Sequence, residues 1–147
     1  MRYLADTNVI LRLVHRRDPL HMTMRGAVRS LHRDGHQVCL VPQNCVEFWN
    51  VATRPVARNG YSLSIDEADT SLRLIERLFS ILPDQPAVYG EWRKLVVQFS
   101  VAGVQVHDAR LVAAMRVHGI THIVTANIND FTRYASIGIV AVHPAQI

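Results

Sequence analysis

Arg2-Tyr3-Leu4-Ala5-Asp6-Thr7-Asn8-Val9-Ile10 opens the chain with a short apolar run that stops at an aspartate and an asparagine. The run reads as a buried strand with polar residues at its carboxyl end. An ionised carboxylate in that position must be compensated by hydrogen bonds, a cationic side chain or a metal, because an unpaired charge in a core is strongly unfavourable. Asp6 therefore points to partners elsewhere in the chain, and locating them decides the fold.

Working outward, Val9, Ile10, Leu11, Leu13 and Val14 suggest a short helix directly after the first strand. Asp18-Pro19 looks like a helix start, with Leu20, Met24, Ala27, Val28 and Leu31 at helical spacing, Arg25, Arg29 and Arg33 on another face, and Gly35 as the stop. Residues 37–41 form a compact strand, and Pro42 opens a helix that runs to about Thr53 and carries Glu47. Arg54-Pro55 ends it and Asn59-Gly60 marks a turn. Ser64 and Glu67 have the form of a capping box for the next helix, whose core stripe is Ala68, Leu72, Ile75 and Phe79 and whose Asp69 and Arg73 are spaced to pair. A short strand at 80–82, a helix from Pro86 through Phe99, a helix at 109–118 closed by Gly119, and strands at 120–125 and 138–142 complete the pattern. Strands alternating with helices long enough for crossovers imply an α/β domain with a parallel sheet covered on both faces.

A length of 147 residues fits one domain spanning 1–147. There is no signal-peptide core and no run near the roughly 18 apolar residues of a membrane span, so a soluble, cytoplasmic protein is expected. Cys39 and Cys45 lack a paired spacing and read as reduced thiols. The formal charge of +4 is compatible with a polyanionic partner without establishing one. The eight histidines supply no complete zinc ligand set.

In a parallel three-layer domain, ligands bind outside the carboxyl ends of the strands. Asp6 ends the first strand, Glu47 lies about one turn into the helix after the second, Asp108 opens a helix, and Asp130 follows the strand at 120–125. Each acid has an ordinary reading of its own: a cap for Asp6 or Asp108, an Asx turn for Asp130, an exposed helical position for Glu47. Jointly they fall where the topology converges. Crowded carboxylates raise one another's pKa unless a cation neutralises them, and a hard divalent metal with oxygen ligands does so while activating water towards a phosphodiester. Asn8, Thr125 and Asn127 are placed to orient those ligands or a water.

Asp6-Thr7-Asn8, Glu47 within Asn44-Cys45-Val46-Glu47-Phe48-Trp49-Asn50, Asp108 within His107-Asp108-Ala109-Arg110-Leu111, and Thr125-Ala126-Asn127-Ile128-Asn129-Asp130-Phe131 resemble the four acidic motifs of the PIN domain, in order and across essentially the whole chain. The size is similar to that of the VapC toxins of bacterial toxin–antitoxin pairs. The resemblance implies a three-layer α/β/α fold with about five parallel strands and an endoribonuclease dependent on magnesium or manganese. It implies Asp6, Glu47, Asp108 and Asp130 as catalytic, metal-binding carboxylates, a homodimer, and a small antitoxin whose tail occupies the cleft. Attack by water, leaving a 5′-phosphate, is implied on the same ground.

Arg12, Arg16, Arg54 and Arg110 lie near the motif segments as candidate phosphate contacts, and His107 adjoins Asp108. A phospho-aspartate enzyme of the haloacid-dehalogenase type also begins with an aspartate after its first strand. Asn8 stands where that fold places a second aspartate, and the single lysine, Lys94, sits in an amphipathic stretch. A noncatalytic RNA-binding or protein-interaction module on a PIN scaffold is the other alternative; four retained acids disfavour it, because a polyanion is bound more readily without them.

Overall fold

The computed structural model describes residues 1–147. Five strands, β1 (Arg2–Ala5), β2 (Gln37–Leu40), β3 (Ser80–Ile81), β4 (His122–Val124) and β5 (Val140–Val142), form one parallel sheet in the order β3-β2-β1-β4-β5. Six α-helices accompany them: α1 (Thr7–Val14), α2 (His21–Arg33), α3 (Pro42–Thr53), α4 (Ile65–Leu78), α5 (Ala87–Gln98) and α6 (Val106–Val117). The chain moves outward from β1 through β2 to β3, then crosses to the other side of β1 for β4 and β5. The direction reverses between β1 and β4, and at such a switch point the connections diverge and leave a crevice at the strands' carboxyl ends.

Alternation along the strands divides the core into two layers. Leu4, Cys39 and Ile123 face α5 and α6, whereas Ala5, Val38, Leu40 and Val124 face α1 to α4. The result is the expected three-layer α/β/α arrangement. In α6 every residue from Leu111 to Met115 is buried, so this helix has no polar face over that span and is enclosed by its surroundings.

Local signals behave as their chemistry predicts. The Ser64 hydroxyl accepts from the Glu67 amide at 3.1 Å while the Glu67 carboxylate accepts from the Ser64 amide at 3.2 Å. Asp69 and Arg73 pair at 3.0 Å, and Asn59 takes the left-handed turn conformation at φ 62°. Cys39 and Cys45 are free thiols. No helix is long and apolar enough to cross a membrane.

Three boundaries differ from expectation. Helix α6 begins at Val106, not Ala109, because a 3₁₀ turn over Gly103–Gln105 feeds straight into it. Asp108 therefore lies inside the first turn and does not cap the helix. The strands expected at 120–125 and 138–142 narrow to three residues each. Ile120 and Ile139 are buried, but their amides bond back to Met115 and Tyr134, closing the preceding helical turns before the sheet ladder begins.

Candidate functional site

Asp6 is buried, and its amide bonds to the Val124 carbonyl at 2.9 Å, so the β1–β4 pairing carries directly to it. Its Oδ1 accepts from the Thr7 amide at 2.7 Å, capping α1. Its Oδ2 accepts from the Thr125 hydroxyl at 2.7 Å and the Asn8 side-chain amide at 2.8 Å. Burial pushes the carboxyl up to about 6, even though the Thr125 and Thr7 bonds favour its ionised form; the charges of Glu47 and Asp130 push it further in the same direction.

Thr125, fully buried after β4, joins this network from the opposite strand. Its oxygen also accepts from the Asn8 side chain at 3.2 Å and the Asn127 amide at 3.0 Å. Asn8 Oδ1 accepts from the Ala126 amide at 3.3 Å. Asn8 and Thr125 thus both hold Asp6, while Asn127 contributes its backbone and leaves its side chain exposed.

Glu47 is half-buried and bonded at both carboxylate oxygens, to the Thr7 hydroxyl at 2.6 Å and to Gln43 Nε2 at 2.7 Å. The Thr7 hydroxyl accepts in turn from Asn44 Nδ2 at 3.1 Å. Asn44 is fully buried, accepts from the Val41 amide at 2.8 Å and donates to the Ala5 carbonyl at 3.2 Å. Pro42 starts α3 without needing an N–H partner, and Asn44 satisfies the chain entering it, so one residue caps α3 and ties it to the end of β1.

Asp108 lies half-buried in the first turn of α6. Burial raises its carboxyl to about 7, followed by the charges of Asp6, Asp130 and Glu47, with the Arg133 guanidinium acting the other way. Asp130 is exposed at the end of the 3₁₀ turn Ile128–Asp130. The four acids thus share one electrostatic site. No three His, Cys, Asp or Glu side chains close into a ready-made metal cage. The donors are all oxygens, the set that suits magnesium or manganese, and a divalent cation would neutralise the two carboxyls that burial first, and then the neighbouring acids, push up.

The PIN domain profile matches residues 3–137. The chain belongs to the PIN domain family. Its fold is similar to that of VapBC2 from Rickettsia felis bound to a DNA fragment from its promoter, with a TM-score of 0.76 at 12% identity, covering 97% of this chain and 98% of that one. A toxin–antitoxin complex from Klebsiella pneumoniae matches with a TM-score of 0.64 at 19% identity, covering 99% of both chains. VapC20 from Mycobacterium tuberculosis, a sarcin–ricin loop cleaving toxin, matches with a TM-score of 0.65 at 17% identity, covering 95% of this chain and 98% of that one. No curated protein matches in sequence.

The arginines of this PIN domain are dispersed. Arg12 pairs with Asp18 at 2.8 Å, and Arg16 borders a groove of about 460 Å³ with His21 and Arg25. Arg54, at the end of α3, donates to the Asn59 carbonyl at 3.1 Å, and its Nε is buried without a partner. Arg110 joins the acids indirectly, donating to Gln43 Oε1 at 3.0 Å. At His107 it is the backbone carbonyl, not the exposed imidazole, that meets the network, accepting from Gln43 at 2.8 Å. Thr7, Gln43, Asn44 and Arg133 are site residues that sequence reasoning did not single out. Gln43 had a visible signal, since it precedes Glu47 by four residues on a helix.

Proposed function

We propose that the chain is a metal-dependent endoribonuclease and the toxin of a VapBC-type toxin–antitoxin pair. The observation that carries this reading is that the charges of Glu47 and Asp130 reach both Asp6 and Asp108, beside the hydrogen bonds that hold Asp6 and Glu47, at the switch point of a PIN fold. The names of the similar structures support the toxin role and a small antitoxin partner. RNA as substrate, a homodimer and a cytoplasmic location belong to the same proposal.

Asp6, Glu47, Asp108 and Asp130 would hold magnesium or manganese. When bound, the metal supplies Lewis-acid stabilisation of phosphoryl charge and a more nucleophilic water. Thr125, Asn8 and the Thr7 amide hold the Asp6 carboxylate in one orientation, and Thr7 fixes Glu47 against it. Asn127 and Asp130 are exposed and would be the first of these groups to meet a substrate. Of the cations, Arg133 influences the Asp108 charge, and its guanidinium donates to Gln105 Oε1 at 2.7 Å. Arg12, Arg16, Arg54 and Arg110 remain proposed contacts to the RNA backbone.

The test is cleavage of cellular RNA by purified, antitoxin-free protein with magnesium or manganese, beside Asp6→Asn and Asp108→Asn. Metal-dependent cleavage that both substitutions abolish is expected. Undiminished cleavage by both would remove the proposed site, and no cleavage by the unaltered protein would remove the nuclease reading.

A further inference from the structure

We propose that Gln43 is a positioning residue for Glu47, with its amide locked in one orientation by Arg110. The inference rests on the metal-nuclease reading and adds how one of the four carboxylates is aimed. Gln43 Nε2 donates to Glu47 Oε1 at 2.7 Å and to the His107 carbonyl at 2.8 Å, while Gln43 Oε1 accepts from Arg110 Nη1 at 3.0 Å. A guanidinium only donates, and an ionised carboxylate and a carbonyl only accept. The amide therefore has one satisfactory orientation. Turning it over would set an N–H against the guanidinium and an oxygen against two acceptors.

The consequence lies in the geometry of Glu47. Gln43 takes one of its oxygens and Thr7 the other, at 2.6 Å, so the plane of the carboxylate is fixed while each oxygen keeps a lone pair for a cation. Gln43 also spans two helices, because Glu47 lies on its own helix α3 and both His107 and Arg110 lie on α6. The same amide that orients Glu47 thus sets α3 relative to the first turn of α6, which carries Asp108. Arg110 is steadied on its far side by Asp84, 3.6 Å from Nη2. A simple helix-surface Gln–Glu pair would have none of these links.

Manganese binding to the full-length, antitoxin-free protein, measured by calorimetric titration beside thermal unfolding, separates the two roles. Gln43→Met keeps the side chain's length and removes the amide. Its manganese affinity is expected to fall about tenfold to a hundredfold, the usual effect of losing a group that orients a metal ligand, with little change in melting temperature. Arg110→Met, which frees the amide to turn, should show a smaller loss in the same direction, and Arg110→Lys should recover most of it. In a Glu47→Gln background, adding Gln43→Met should weaken binding no further, since the group it orients has gone. Unchanged affinity in Gln43→Met, or an equal loss with and without Glu47, overturns the positioning role alone. An absence of manganese binding by the unaltered protein overturns the metal reading and this inference together. Should Gln43→Met fail to fold, the Arg110 pair carries the same test with Gln43 in place, and equal affinities for Arg110→Met and the unaltered protein would overturn it.

Discussion

The two walls of the acid cleft are built differently. On one side Asp6 and Glu47 are held by Thr7, Asn8, Gln43 and Thr125, with a donor on every carboxylate oxygen. On the other, Asp108 owes its raised carboxyl to burial and like charges with no hydrogen bond among the causes, and Asp130 is exposed. Asp6 is the more deeply buried of the two raised aspartates, at about 6 beside about 7 for Asp108. Donors distinguish them: the Thr125 hydroxyl and the Thr7 amide offset part of the cost of burying Asp6, whereas the lowering influence on Asp108 comes from the charge of Arg133. One wall is thus organised by hydrogen bonds made on folding, and the other is the one that a cation would organise under the proposed function.

The largest expected effect tests whether the two walls work as one site. Asp108→Asn should lower metal-dependent RNA cleavage by about a hundredfold or more, the scale of removing one preorganised electrostatic group, as should Asp6→Asn. In metal-free protein at neutral pH, Asp108→Asn should instead raise stability in urea unfolding, by on the order of 1 kcal/mol once solvent screening of this half-exposed group is allowed for. A loss of stability there would mean that Asp108 has a donor and that the contrast between the walls is false.

Thr125→Val probes the organised wall. Removing the hydroxyl that donates to Asp6 should cost about 2 kcal/mol in urea unfolding and move the Asp6 carboxyl above about 6. An unshifted Asp6 titration would show that Thr125 does not hold the charge.

The smallest effect is a pH slope. Asp6 and Asp108 have folded values above the roughly 4 of an unfolded aspartate, so the folded state binds more protons between about pH 4 and pH 7. Metal-free stability should therefore fall as pH rises through that window and level off above it. Millimolar magnesium or manganese should flatten the slope; a slope untouched by either would separate the raised carboxyls from cation binding.

The sequence disclosed the acids better than the groups that hold them. Asp6 stood out because a charge follows an apolar strand, and Glu47, Asp108 and Asp130 because each lies in the early turns of a helix or after a strand at the same end of the sheet. Thr7 and Asn44 were silent because each has an ordinary role at a helix start, and their mutual bond spans 37 residues. Arg110 read as a phosphate contact from its nearness to Asp108; its partners are Gln43, from the β2–β3 connection, and Asp84, from the start of its own β3–β4 connection. The start of α6, expected at Ala109, falls at Val106 because Gly103 at φ 63° opens a 3₁₀ turn that runs straight into the helix. Composition and spacing reveal which groups need partners; the strand order, which sets β1 between β2 and β4, decides which partners they meet.

The central claim, that the four acids form one cation site, is tested most directly by following the Asp108 carboxyl by carbon NMR across pH, with and without saturating magnesium. Without metal it should titrate near 7, and with metal it should remain ionised well below the ordinary aspartate range. A single titration curve, identical in both conditions, would contradict the account.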